Sequence, residues 1–169
     1  MKQEVQLSDY CARGVHFSDE MIPVTESVSL RVITFNPPQK TNNPAVVFVP
    51  GWISHIDAWK QVLKEMTKDF TVHYIETREK ISALAKRKVL FTVEEMGKDI
   101  VRVISRFKLK TNDYILFGSS LGATLLLDCC RFLQQIPLCQ VLVGPNAVFR
   151  VPRFGKIIIR IFYPPLYFV

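Results

Sequence analysis

The run Tyr114-Ile115-Leu116-Phe117-Gly118-Ser119-Ser120-Leu121-Gly122-Ala123 decides the fold. Its first four residues are apolar, aromatic and β-branched, and read as a strand. Residues 121–133 then read as a helix, so the pattern Gly-x-Ser-x-Gly falls on the turn between the two. A serine on so tight a turn needs small neighbours. Gly118 and Gly122 let the strand and helix approach closely. The Ser120 oxygen then stands above the sheet edge at a helix N-terminus, where free N–H groups and the helix dipole favour developing negative charge. A glycine-rich turn in another doubly wound fold, such as a nucleotide binder, is the alternative. The run does not match Gly-x-Gly-x-x-Gly, and it has no lysine where a phosphate-binding loop places one.

Working outward, short apolar runs alternate with amphipathic stretches. Residues 45–49 are continuously apolar, as in a strand covered on both faces. Residues 70–75 and 139–143 read the same way. Residues 28–35 alternate and stop at Asn36-Pro37-Pro38, which predicts an edge strand ended by prolines. Trp59, Val62, Leu63, Met66 and Phe70 fall at helical spacing, so 57–68 is expected to be a helix. Thr92 and Glu95 form a capping-box pattern ahead of the stripe Met96, Ile100, Val103, Ile104 and Phe107. Residues 1–27 are expected to add one antiparallel strand at the sheet edge. Strand and helix in alternation give an α/β fold: a mostly parallel, doubly wound sheet with helices on both faces.

Composition narrows the class. Of 169 residues, 49% are hydrophobic and 22% charged, a globular balance long enough for one real core. The first residues lead into no apolar run of the secretory type, and no stretch reaches the roughly 18 uncharged apolar residues that span a bilayer. Cys11, Cys129, Cys130 and Cys139 lack metal-site spacing and read as reduced thiols of a cytoplasmic protein. The net charge of +7 raises the question of nucleic acid. Yet the one basic cluster, Arg78, Lys80, Lys86, Arg87 and Lys88, has no interleaved aromatic residues and reads as a solvated face. No nucleic-acid partner, metal or organic cofactor is implied, and no motif speaks to the oligomeric state.

A second piece of the site lies upstream. Residues 47–52 end a buried strand at Pro50-Gly51-Trp52, just before a helix. Two backbone N–H donors aimed at one point make an oxyanion hole. Leu121, just after the serine, is one candidate, and Trp52 is the other.

Together these residues resemble the α/β-hydrolase superfamily of esterases, lipases and thioesterases over roughly residues 28–150. The resemblance implies Ser120 as nucleophile in an elbow of Gly118, Ser119 and Gly122. It implies Trp52 and Leu121 as oxyanion donors, and an ester or thioester as the small-molecule acyl substrate. Trp59 also matches a tryptophan that many members carry early in the first helix.

Three departures stand beside it. Pro50-Gly51 replaces a frequent His-Gly. After the next strand, where many members have Asp-x-Arg-Gly-x-Gly-x-Ser, this chain keeps Glu76, Arg78 and Ser82 but neither glycine. Third, the family order is serine, acid, histidine. Here His16, His55 and His73 all precede Ser120. His55 reads as an exposed loop residue and His73 as a core or sheet-face residue, while Asp128 lies too far into the helix to orient a base.

A serine without a base is a weak nucleophile, left with a residual acceleration on the order of 10³–10⁴ from an oxyanion hole. The expected organisation is therefore an N-terminal hydrolase core over 1–148 and the start of a cap over 149–169, with acid and histidine beyond Val169. Two other readings remain: a non-catalytic binding protein that kept the scaffold, and a membrane-surface role for the basic, aromatic segment 149–169.

Overall fold

The computed structural model describes residues 6–86 and 88–145. The cap segment expected at 149–169 lies outside them. Among the described residues, one sheet holds seven strands: β1 (His16–Thr25), β2 (Val28–Asn36), β3 (Ala45–Val49), β4 (Val72–Glu76), β5 (Leu84–Ala85), β6 (Tyr114–Ser119) and β7 (Cys139–Val143). Their order is β1-β2-β4-β3-β6-β7, with the short β5 paired to β2. From β4 to β7 the pairing is parallel, and β2 runs antiparallel to β1, β4 and β5.

Strand β2 is therefore interior, not the edge strand that its sequence predicts. Pro37 and Pro38 follow its last residue, so they end it without removing a donor from either ladder. The proline that does sit in the ladder is Pro23 of β1, on the true edge, where the β1–β2 register also shifts.

Alternation along each strand makes two cores. Val46 and Phe48 of β3 face Ile33, Phe35, Val72, Tyr74 and Leu63, the last from helix α1 (Lys60–Met66). Val47 and Val49 face the opposite way, toward helices α2 (Val93–Arg106) and α3 (Leu121–Cys129). This double coverage is why residues 45–49 are apolar without a break. The helix expected at 57–68 is a 3-10 turn at Ile56–Trp59 followed by α1. The one expected at 121–133 stops at Cys129, because Arg131 and Phe132 donate to Asp128 and Cys129 in three-residue turns. Thr92 caps α2 by accepting from the Glu95 N–H at 3.2 Å, while the Glu95 carboxylate binds Lys98 at 3.0 Å. No helix among the described residues is long and apolar enough to cross a membrane.

His73 of β4 is buried on the α2 side. Its Nδ1 lies 2.9 Å from Thr34 Oγ1, its cross-strand partner, and its ring stacks on Phe107 at 3.9 Å. Burial pushes its pKa down to about 4. An unfolded histidine takes a proton near pH 6.5, so between the two values the unfolded chain holds more protons and stability falls as pH falls. The expected loss across that window is at most about 3 kcal/mol. Urea midpoints compared with those of His73→Gln check it: wild type should lose more stability than the variant between pH 6.5 and 4. Parallel curves would show that His73 takes no part.

Candidate functional site

The end of β6 carries the chain into α3 through a single residue, Ser120, at φ 50 and ψ −117. An L-residue adopts this backbone only under strain, on the order of 1–3 kcal/mol, and such residues collect at functional sites. The flanking glycines show what enforces it. A Cβ on Gly122 would lie 2.1 Å from the Val49 carbonyl oxygen and 2.6 Å from that of Pro50. A Cβ on Gly118 would lie 2.8 Å from the Ala123 nitrogen. Helix α3 thus starts pressed against the end of β3, and the turn between has no room for an ordinary conformation. On the other side, the Ser120 N–H donates to the Val143 carbonyl of β7 at 2.8 Å.

Ser120 is half-buried and caps nothing with its side chain. Its carbonyl accepts from Thr124 N at 3.0 Å, the first turn of α3. Leu121 is the first residue of that helix, a position whose N–H has no acceptor within the helix.

The loop 50–55 borders the turn directly. A Cβ on Gly51 would meet the Ser120 Cβ at 3.2 Å and the Ser119 carbonyl oxygen at 3.3 Å. The strand-ending segment and the serine turn thus lie side by side. Trp52 is half-buried against the α2–α3 core. His55 is exposed.

Two side chains that sequence reading did not place in the site hold this loop. Trp59 donates its indole N–H to Ser54 Oγ at 2.8 Å, while its ring packs edge-on against Phe48 and Phe117 at 5.0 and 5.9 Å. Lys80 donates to the carbonyls of Gly51 at 2.6 Å, of Ser54 at 3.1 Å and of Trp52. The Lys80 side chain is only 11% exposed, and burial lowers its pKa.

This corrects the solvated basic face expected over residues 78–88. Lys86 and Lys88 are exposed, but Arg78 and Lys80 point inward. Arg78 is ion-paired to Asp99 of α2 at 2.6 Å, with both side chains buried. Two cations anchor the glycine-free segment after β4: Arg78 ties it to α2, and Lys80 ties it to loop 50–55.

No family model matches the sequence, and no curated protein does. Solved structures do match in shape. A protein described as a candidate lipase from Acinetobacter baumannii aligns with a TM-score of 0.68 at 16% identity, over 85% of this chain and 46% of its own. A bacterial membrane phospholipase A aligns at 0.66 and 14% identity, over 89% of this chain and 47% of its own. An epoxide hydrolase from Acinetobacter nosocomialis aligns at 0.63 and 20% identity, over 78% and 38%. The chain spans about half the length, or less, of these solved structures. At these identities the likeness is one of fold.

Proposed function

Because the chain has the α/β-hydrolase fold and carries Ser120 on its strained strand-to-helix turn, we propose that Ser120 is the nucleophile of a serine hydrolase acting on an ester or thioester. The observation that carries this reading is the Ser120 backbone, strained yet wedged in place by Gly118 and Gly122. Ser120 Oγ attacks the acyl carbonyl carbon, and the carbonyl electron pair moves onto oxygen. The N–H groups of Leu121 and Trp52 hold that oxyanion. Its collapse expels the alkoxide or thiolate and leaves an acyl-serine, which water then hydrolyses. The serine proton goes to a general base, which the family order places after Ser120 in the chain, whereas His16, His55 and His73 all precede it.

The same three histidines favour a second reading, a scaffold that keeps the turn and no longer reacts. A fluorophosphonate distinguishes the two. Ser120 Oγ forms a bond to phosphorus as the P–F bond breaks, fluoride departs and the serine proton passes to the base. The full-length gene product is expected to gain one adduct on Ser120, and Ser120→Ala to gain none. Absence of labelling on wild type would favour the non-reactive scaffold. Ser120→Gly should also lose labelling while gaining about 1–2 kcal/mol of stability over Ser120→Ala, since glycine adopts this backbone without strain. Equal denaturation midpoints for the two variants would mean that the turn stores no strain.

A further inference from the structure

We propose that Lys80 is a positioning residue for the oxyanion loop: by gripping the carbonyls of Gly51, Trp52 and Ser54 it aims the N–H groups of Trp52 and Ile53 at the acyl oxygen on Ser120. This rests on the reading of Ser120 as nucleophile.

The argument is one of peptide geometry and of charge. In a trans peptide the C=O and N–H point to opposite sides of the chain. Fixing the Gly51 oxygen on Lys80 therefore fixes the Trp52 N–H away from Lys80, and fixing the Trp52 oxygen does the same for Ile53. The turn that holds these peptides abuts Ser120, with Gly51 in near contact.

An ammonium group is not needed merely to close that turn. The Ser54 N–H already donates to the Gly51 carbonyl at 3.1 Å. Lys80 adds a charge, and it uses all three of its donors on this one loop. Its nearest carboxylate, Glu79, stands at 3.9 Å, beyond hydrogen-bond reach. The charge is thus spent on main-chain dipoles at low exposure, where it polarises each peptide and strengthens the N–H at its far end. That places positive potential where negative charge develops in acyl transfer. Trp59, through Ser54, holds the same loop from the strand side, but with a neutral donor.

The test uses the full-length gene product and a fluorophosphonate, whose phosphoryl oxygen occupies the oxyanion position. The limiting rate of Ser120 phosphonylation and the half-saturating concentration are measured for wild type, Lys80→Met, Lys80→Arg and Ser120→Ala. Lys80→Met should lower the limiting rate on the order of 10²-fold, as loss of one oxyanion donor does, with half-saturation little changed. Lys80→Arg, which keeps the charge and the donors, should recover most of the rate.

A wild-type rate in Lys80→Met overturns the proposal while leaving Ser120 as nucleophile. So does a loss that appears only in half-saturation, or one that Lys80→Arg fails to relieve. Labelling of Ser120→Ala equal to wild type, or no labelling of wild type, overturns the nucleophile reading and this proposal with it. Should Lys80→Met not fold, a measurement on wild type stands in its place. Phosphonylation should move the Trp52 and Ile53 amide proton resonances downfield, and unmoved amides overturn the proposal.

Discussion

Gly122→Ala should destabilise the protein by about 3–5 kcal/mol and sharply reduce phosphonylation of Ser120. Ordinary overpacking costs less, because a crowded side chain can swing aside. Here the obstacles are two main-chain oxygens, at 2.1 and 2.6 Å from the added carbon. They belong to Val49 and Pro50, at the end of β3. That strand is paired on one side to β4 and on the other to β6, so it cannot retreat without opening a ladder. Helix α3 must move instead, and Ser120 moves with it.

The other glycines of the site grade the effect. Gly118→Ala meets a main-chain nitrogen at 2.8 Å and the movable Leu126 Cδ1 at 2.7 Å, and should cost less than Gly122→Ala. Gly51→Ala meets nothing closer than 3.2 Å and should cost least. Denaturant unfolding of the three variants checks the order. A Gly122→Ala midpoint equal to that of Gly51→Ala would contradict the close contact of α3 with β3.

That the serine turn could be read from residues 114–123, while the loop cations could not, has a physical reason. A glycine pair around a serine records a local steric demand, and local demands leave local patterns. The buried strands were readable for the same reason: residues 45–49 must be apolar on both faces, whichever helices cover them. Strand β1 left a fainter mark. It is the edge, most of its residues are solvent-facing, and only Ile22 and Val24 are buried. The interior place of β2 was lost because a proline pair after a strand looks, in sequence, like a proline pair at an edge.

Arg78 and Lys80 fared worst. A cation is read as exposed unless its acceptors are known, and these lie 21 residues away at Asp99 and 26 to 29 away in loop 50–55. The resemblance expected glycines in that segment, and their absence was the one visible sign that something else holds it.

Arg78→Met should cost about 3–5 kcal/mol, far more than an exposed ion pair of the same geometry. The Arg78 and Asp99 side chains are 3% and 1% exposed, and the guanidinium spends its donors inward. Nε donates to Asp99 Oδ2 at 2.7 Å, Nη1 to the Leu90 carbonyl, and Nη2 more weakly to the Glu95 carbonyl at 3.4 Å. Removing it strands a buried carboxylate. Among the described residues Asp99 keeps only Arg102, at 3.0 Å on its other oxygen. Burial already raises the Asp99 pKa despite the pull of Arg78, so without Arg78 it should rise further and the carboxyl should take a proton at higher pH.

The decisive comparison is the double variant Arg78→Met with Asp99→Leu. If most of the single-variant cost is an unpaired buried charge, an apolar pair of similar volume should recover much of it, and the cycle should show a coupling of about 1–3 kcal/mol. If instead the cost lies in the Leu90 and Glu95 carbonyls, the double variant should be no better than Arg78→Met. The same pair of variants separates stability from reactivity. Lys80 sits two residues beyond Arg78, so a double variant that regains stability but not its phosphonylation rate would mean that the Arg78 anchor sets the reach of Lys80 to loop 50–55. Recovery of both would confine Arg78 to holding the segment against α2.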